Sequence, residues 1–226
     1  EGFVSTSTKR YTETVQDILN NIALVERMNI TGGEPLQLDR MWQLMEKIPD
    51  EHAQNITLTF DTNLTKLEYK NWNIWQLIDK FKAVELGVSC DHYGDKLAWI
   101  RYPIDVHEFE KNLDTMKEYI SNINVTVSML NILDLDEIEM YYKDFNTTFY
   151  GIVSAPEMLS IKNIFNKEEL IKKYKRFPMV VQELQKNSIN GFYEKGLDYC
   201  RKLNSQRNID FNQLFKSSTK FIGDSA

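Results

Sequence analysis

The chain has 226 residues, with 42% hydrophobic and 12% aromatic content and a net charge of −6 from 27 basic and 33 acidic side chains. This composition excludes intrinsic disorder, and the length allows one large domain or two small ones with a substantial core. No Lys/Arg cluster can follow a phosphate backbone, and no apolar run approaches the ~18 residues of a membrane span. We therefore expect neither nucleic acid nor a membrane as a partner. Because no secretory signal is visible, we expect a cytoplasmic protein.

Helix and strand patterns alternate along the first two thirds of the chain. Apolar residues recur at helical spacing in five segments, and this predicts helices over 11–20, 40–48 (with Asp39 as a candidate cap), 74–81, 106–120 and 134–145. β-Branched and aromatic residues concentrate between them, and this predicts strands ending at 30 and covering 56–60, 84–89, 124–130 and 148–154.

This alternation favours successive βαβ units. Such units build a parallel sheet, either closed toward a barrel or open and doubly wound. The pattern changes beyond Pro156, since residues 166–216 are typical of two or three helices and contain no convincing strand. We therefore predict an α/β domain over 1–155 and a helical C-terminal extension over 156–226, with the boundary near 156–165.

The first candidate functional segment is Gly32-Gly33-Glu34-Pro35, between a predicted strand and a predicted helix. Parallel sheets bind ligands at the carboxyl ends of their strands. Adjacent glycines let the backbone approach a ligand, and a carboxylate beside exposed carbonyls makes a pocket rich in acceptors that suits an ammonium group. The same four residues are also typical of an ordinary strand-to-helix turn. The residues alone leave both interpretations open.

A second candidate segment, Ser89-Cys90-Asp91-His92, also stands where a predicted strand ends. A hydroxyl and a carboxylate at that place suit ribose hydroxyls or a charged ligand group. The alternative is a capped strand end at which Asp91 opens a turn. Consecutive residues of an extended strand do not converge, so geometry disfavours a catalytic triad of Cys90, Asp91 and His92.

Four segments, taken in order, resemble the radical S-adenosylmethionine (SAM) enzymes. They also resemble, more narrowly, the branch with a shortened C-terminal extension called twitch, which is related to SPASM proteins. The segments are GGEPLQLDRMWQLMEKI, ITLTFDTNLTKL, LGVSCDHYGDKLAWIRYPIDVHEFEKNLDTM and NVTVSMLNILDLDEIEMYY, and the resemblance covers residues 5–155. It implies a partial parallel βα barrel that holds a 4Fe–4S cluster and SAM. In such enzymes the reduced cluster cleaves SAM, and the 5′-deoxyadenosyl radical abstracts a hydrogen from the substrate.

The resemblance also implies cofactor-binding roles in the first half of the chain. The backbone of Gly32 and Gly33, together with Glu34, would hold the methionine ammonium of SAM. Asn63 matches the Thr-Asn end of a strand in the family, and its role is undefined.

Three further residues match cofactor contacts of the family. Ser89 would take the ribose or carboxylate region of SAM, Arg101 would pair with the methionine carboxylate, and Ser128 would contact the ribose. The partners implied are a peptide or small polar molecule as substrate and an electron donor for the cluster.

The chain departs from the family at the cluster motif. It lacks C-x3-C-x2-C, and its two cysteines, Cys90 and Cys200, are far apart. No metal ligand and no catalytic residue is assigned from the sequence. We interpret the chain as N-terminally truncated, without the first strand and cluster loop, so that the cluster belongs to the complete protein only and this chain alone is inactive. Two alternatives are a non-catalytic binding or scaffold module and an unrelated βα barrel enzyme that uses Gly32–Pro35 as a phosphate-facing turn.

Overall fold

A computed structural model describes residues 15–207 and 209–216 of the chain. These residues pack into two compact units. The first unit contains the described residues up to Gly87 together with Met116–Ile120. The second contains Val88–Thr115 and the described residues from Ser121 onward. No helix within these described ranges is long and apolar enough to cross a membrane.

The first unit is built on a parallel strand pair. Its strands are β1 (Arg27–Ile30), β2 (Thr57–Thr62), β3 (Glu68–Tyr69), β4 (Trp72–Asn73) and β5 (Ala83–Ser89), which continues into the second unit. Its helices are α1 over 15–20, α2 (Asp39–Lys47), α3 (Asp50–Ala53) and α4 (Ile74–Lys80), with 3-10 helices at Ile22–Leu24, Pro35–Gln37 and Lys117–Tyr119. Strands β1 and β2 pair in parallel from Arg27 opposite Thr57 to Ile30 opposite Phe60. Their carboxyl ends therefore lie side by side.

The second unit contains the remaining strands and most of the helices. Its strands are β6 (Ile120–Val127), which begins at the boundary between the units, and β7 (Thr147–Ile152). Its helices are α5 (Gly94–Ile100), α6 (Val106–Thr115), α7 (Leu135–Tyr141), α8 (Lys167–Lys173), α9 (Pro178–Leu184), α10 (Phe192–Arg207) and α11 (Phe211–Leu214), with 3-10 helices at Glu157–Leu159 and Ile161–Asn163. Strands β6 and β7 pair in parallel, with a shift of register between Asn124 and Thr126.

The strands form a five-stranded sheet in the order β1-β2-β5-β6-β7, and β3 and β4 form a separate antiparallel hairpin. Leu58 and Phe60 on β2 are fully buried, as are Leu86 and Val88 on β5. This spacing of two residues places alternate side chains on the core face. Among the described residues, only helices and loops follow β7. The α/β class predicted from the sequence is confirmed.

Two predicted helices end earlier than the sequence indicated. The helix predicted over 106–120 ends at Thr115, and after a 3-10 turn the chain enters β6 at Ile120. Ile120 is the first residue of β6, whose buried side chains alternate from Ile123 to Val127, so the chain is extended directly after the shortened helix. The helix predicted over 134–145 ends at Tyr141.

Other differences are local. The strand predicted over 124–130 is displaced toward the N-terminus and ends at Val127, and the hairpin β3–β4 and the short helices α3, α5 and α11 were not predicted. Asp39 is the first residue of α2 rather than its cap, and its carboxylate pairs with Lys70 Nζ at 2.6 Å. Residues 11–14 of the first predicted helix lie outside the described residues. The domain boundary near 156–165 stays a prediction.

Helix α10 lies close to the 3-10 helix Glu157–Leu159 because Gly196 has no side chain. A Cβ at this position would lie 2.8 Å from the carbonyl oxygen of Met158 and 2.9 Å from Sδ of Met129. The backbone N–H of Met129 in turn donates to the carbonyl oxygen of Leu159 at 2.9 Å. The absence of a Cβ thus sets how closely α10 approaches the loop that follows β7.

We predict that Gly196→Ala destabilises the protein. In an unhindered helix the change from glycine to alanine stabilises by about 1 kcal/mol. Here the new Cβ meets a backbone carbonyl, and overpacking of this kind costs about 1–3 kcal/mol. The free energy of unfolding in urea is expected to fall, whereas Lys202→Ala on the exposed side of α10 should change it by less than about 0.5 kcal/mol. A stabilised Gly196→Ala protein would contradict the close packing of α10.

Candidate functional site

The loop after β1 exposes backbone that no side chain covers. Gly32 and Gly33 adopt positive φ angles of 95° and 61°, a conformation that L-residues rarely adopt. A Cβ built on either glycine would meet nothing within 4 Å, so open space lies in front of both. The sequence places glycine where the chain turns left-handed, and the result is a stretch of backbone without side chains that borders open space.

Glu34 fastens this loop to the end of the neighbouring strand. Its Oε1 accepts a hydrogen bond from the Thr62 hydroxyl, and its Oε2 accepts one from the backbone N–H of Asn63, each at 2.6 Å. Thr62 is buried because it shares the core face of β2 with Leu58 and Phe60, and its oxygen accepts from the Leu64 N–H at 3.0 Å. The pairing of β1 with β2 therefore brings Gly32, Gly33, Glu34 and Asn63 together.

The far side of the loop is held by α2. Pro35 opens the 3-10 helix, where its missing N–H is not needed. The buried indole of Trp42 donates to the carbonyl oxygen of Leu36 at 2.9 Å, and the Gln37 amide donates to the Thr65 hydroxyl at 3.1 Å. These bonds fix the loop at both ends.

A second polar cluster joins the ends of β5 and β6. One oxygen of the buried Asp91 carboxylate accepts from the Thr126 N–H at 2.9 Å, and the other pairs with Nε of Arg101 at 2.9 Å. The Asn131 amide, 1% exposed, donates to the carbonyl oxygens of Asp91 and Thr126 at 2.9 and 3.0 Å and accepts from the Ser128 N–H. This side chain satisfies backbone groups that the parallel ladder leaves unpaired at its end.

Three predicted site residues belong to the second unit or its edge. Ser128 follows β6 and is buried, with its hydroxyl accepting from the Leu130 N–H at 3.2 Å. Arg101 belongs to the polar cluster at the ends of β5 and β6 through its ion pair with Asp91. Ser89 is the last residue of β5 and is half-buried. The predicted residues thus form two groups, one in each unit.

Cys90 and His92 belong to a buried network rather than to a catalytic triad. The Tyr93 N–H donates to Nδ1 of His92 at 2.9 Å, so the ring proton is on Nε2, which donates to Asp134 Oδ2 at 3.0 Å. Lys96 pairs with the same carboxylate oxygen. Sγ of Cys90 lies 3.0 Å from the Tyr142 hydroxyl and donates to the backbone carbonyl oxygen of His92 at 2.9 Å, so the thiol contacts the backbone of His92 and not its ring.

Neither cysteine fits a 4Fe–4S cluster. A cluster needs several neighbouring thiolates. The Cys90 and Cys200 thiols are both buried, and burial raises the pKa of each to about 12, so that both are neutral near pH 7. Among the described residues, no group of three or more His, Cys, Asp or Glu side chains is placed to hold a metal ion.

The second unit also encloses a cavity of about 270 Å³ beyond the ends of β5, β6 and β7. Asp91, Thr126 and Ser128 lie on the side of the strands, and Trp99 and Arg207 contribute an indole and a guanidinium. The other lining residues are mainly apolar and come from β7, the following loop and α10: Ile100, Leu130, Val153, Ala155, Pro156, Leu159, Tyr199, Cys200 and Leu203. Position, shape and a few polar groups are those of a small-molecule site.

A family model described as the radical SAM superfamily matches residues 3–145, well over half of the sequence. The chain belongs to this superfamily, as its glycine-rich loop after the first strand and its order of elements indicated. No curated protein matches the sequence.

Two solved structures share the fold. They are native anSMEcpe with bound AdoMet and Cp18Cys peptide, and a polyhistidine-tagged form of anSMEcpe with bound AdoMet. Each has a TM-score of 0.53 and 17% identity to this chain, and the matches cover 83% and 84% of it. The chain spans 56% of the length of either neighbour. At this identity the likeness shows the fold alone.

Thr62 and Asn131 were not identified from the sequence as site residues. Thr62 stands two positions after Phe60, and the period of two in β2 was a signal that its side chain faces the core. Asn131 lies in a loop, and its partners are up to 40 residues away along the chain. No local pattern pointed to its role.

Asp134 contributes stability that depends on pH. Burial alone raises the pKa of its carboxyl, but hydrogen bonds from His92 and Lys96 outweigh burial and hold the pKa below its ordinary value of 3.8. A carboxyl with a lowered pKa stabilises the fold above its unfolded pKa, and this contribution is lost as pH falls through the folded pKa. We expect Asp134→Asn to lower the free energy of unfolding by about 2–4 kcal/mol at pH 7.

Urea unfolding at pH 7 and at pH 3 tests this expectation. The difference between wild type and Asp134→Asn should shrink at pH 3, because this pH lies below the pKa of about 3.9 of an aspartate in the unfolded chain. Asp198→Asn removes an exposed ion pair with Arg201 and should cost less than about 1 kcal/mol at either pH. Equal losses at both pH values for Asp134→Asn would show that its charge is not responsible.

Proposed function

We propose that this chain is the SAM-binding core of a radical SAM enzyme. The observation that carries the proposal is the Gly32-Gly33-Glu34 loop. Its bare backbone faces open space, and its carboxylate is locked to the end of β2 by Thr62 and Asn63. We assign this loop to the methionine ammonium of SAM.

The charge of Glu34 supports an ammonium ligand. Its carboxylate accepts from a hydroxyl and from a backbone N–H, both neutral, and within 15–207 and 209–216 no cationic side chain pairs with it. Each carboxylate oxygen accepts one hydrogen bond and can accept another. Glu34 is half-buried, and a cation that binds beside such a carboxylate is stabilised because the carboxylate has no other counter-ion. Charge-assisted hydrogen bonds are also stronger than those between neutral groups.

The similar fold of anSMEcpe, which has been solved with AdoMet and with a peptide, supports SAM as the ligand. The roles of Ser89, Arg101 and Ser128 toward the remainder of SAM stay predictions. Asp91 already uses Nε of Arg101, so a ligand carboxylate would take other N–H groups of that guanidinium.

The activity that we propose for the complete protein is reductive SAM cleavage with hydrogen abstraction from a peptide or small polar substrate. It would need an electron donor, and we propose a cytoplasmic location. Superfamily membership supports this reaction class. The burial of Cys90 and Cys200 favours one alternative, in which the chain binds SAM without catalysis. The same burial leads us to expect no activity from these 226 residues alone.

The proposal predicts that Gly33→Ala weakens SAM binding without unfolding the protein. The new Cβ would enter the open space where we place the ligand, and the left-handed conformation costs an L-residue about 1–2 kcal/mol. Glu34→Gln should weaken binding at least about tenfold, because a charge-assisted hydrogen bond to the ammonium is lost. Isothermal titration of the full chain with SAM measures both effects.

Glu68→Gln is the matched control, since this carboxylate is exposed in the hairpin of the same unit. It should bind SAM as the wild type does. Thermal unfolding of each variant separates loss of the ligand site from loss of the fold. Unchanged SAM affinity in folded Gly33→Ala and Glu34→Gln proteins would exclude the loop as the ammonium site.

A further prediction concerns iron. Anaerobic reconstitution of the 226-residue chain should yield no stoichiometric 4Fe–4S cluster, because its only two thiols are buried and neutral. Iron and sulfide content, visible absorption and an assay for 5′-deoxyadenosine test this. The double variant Cys90→Ser, Cys200→Ser is the control and should retain as little iron as the wild type. Stoichiometric iron and SAM turnover by the wild-type chain would contradict the expectation.

A further inference from the structure

Arg207 is held in a defined position at the wall of the second unit's cavity. It is the last residue of α10, and its Nη1 donates to the carbonyl oxygen of Trp99. The guanidinium carbon lies 4.2 Å from the centroid of the Trp99 ring, which is a cation–π arrangement. The indole is 1% exposed and packs against Phe211 and Phe215. The platform under the guanidinium is therefore rigid.

The charge of Arg207 has no counter-ion in the part of the chain that the structure describes. The titratable groups that face it are Tyr102, Tyr199 and Cys200, none of which is a carboxyl group, and burial lowers the pKa of Arg207. By contrast, Arg101 and Arg176 each pair with a carboxylate. The helix dipole stabilises a basic residue at a helix C-terminus. This stabilisation would be available to an exposed side chain too, so it does not explain why Arg207 is half-buried against a cavity. An anion entering the cavity would recover the cost of desolvating this cation.

The other walls of the cavity define the rest of the ligand. They are mainly apolar, and Ser128 and Thr126 lie on the side of the strands. Asp91 also lines the cavity, but its negative charge is paired with Arg101, and its other oxygen accepts from the Thr126 N–H. The volume of about 270 Å³ lies near the lower end of small-molecule sites, so the cavity suits a compact group rather than a long chain.

We propose that this cavity binds a carboxylate carried on a compact apolar body, with Arg207 holding the carboxylate and the apolar walls holding the body. The inference rests on the proposed function, for which the cavity would be the substrate subsite. The carboxylate can come from a free organic acid or from the C-terminus of a short peptide, and both present the same chemistry to Arg207.

The test is an NMR titration of the full chain that follows the indole N–H signal of Trp99, assigned with Trp99→Phe. The first pair of probes is 4-methylpentanoate and its neutral amide. The second pair is an N-acetylated tripeptide ending in leucine, with a free or an amidated C-terminus. In at least one pair, the acid should bind at least about tenfold more tightly than the amide, because a charge-assisted contact is lost with the amide. The pair that shows the preference identifies the source of the carboxylate.

Arg207→Gln should abolish the preference for the acid, and Arg207→Lys should retain part of it. Arg201→Gln is the matched control, because that side chain lies on the same helix, half-exposed and paired with Asp198.

Equal binding of acid and amide by the wild type, or a preference that survives in folded Arg207→Gln, overturns the proposal. If Arg207→Gln weakens SAM binding as much as Glu34→Gln does, the cavity belongs to SAM and the substrate assignment is wrong. A chain that prefers the acid but does not bind SAM supports the anion site and overturns the proposed function instead.

Discussion

A side-chain carboxylate that bridges the ends of two neighbouring parallel strands is the interaction on which the candidate site depends. Parallel strands end at the same edge, where their last backbone groups have no ladder partner. Glu34 reaches from the loop after β1 to Thr62 and Asn63 at the end of β2. The left-handed turn at Gly32 and Gly33 makes this reach compatible with an open backbone. Together with the hydrogen bonds of Trp42 and Gln37 on the far side of the loop, this bridge holds the bare peptide groups in one conformation.

In the second unit, side chains also join the ends of two neighbouring strands, but the residues and their partners differ. Asp91 and Asn131 join the ends of β5 and β6 through backbone N–H and carbonyl groups. The carboxylate of Asp91 is balanced by Arg101, whereas the carboxylate of Glu34 has only neutral partners within the described residues. The same structural device therefore leaves charge available for a ligand in one place and neutralises it in the other. Burial and pairing, rather than residue type, decide which carboxylate can attract a cation.

The sequence was sufficient for features that depend on local patterns. The alternation of helical and strand periods predicted the α/β class, and the adjacent glycines marked the turn after β1. Contacts between residues that are far apart in the sequence could not be predicted from such patterns. Glu34 and Thr62 are 28 residues apart, and His92 and Asp134 are 42 apart, so no spacing rule connects them. The helix predicted over 106–120 ends at Thr115, because the helical spacing of Met116 and Ile120 continues in the sequence where the chain forms a 3-10 turn and then enters β6.

The hydrogen bonds of Asn131 have a consequence for how the cavity opens. The side-chain amide of Asn131 forms hydrogen bonds with the backbone of Asp91, Thr126 and Ser128. The ends of β5 and β6 are therefore linked and cannot fray independently. Groups that share such a node open and close as one cooperative unit, and the cost of opening them is the cost of losing every bond at once. Widening the cavity at the strand side therefore requires these hydrogen bonds to break together. The opposite wall is built differently, because α10 packs closely against the loop after β7 at Gly196.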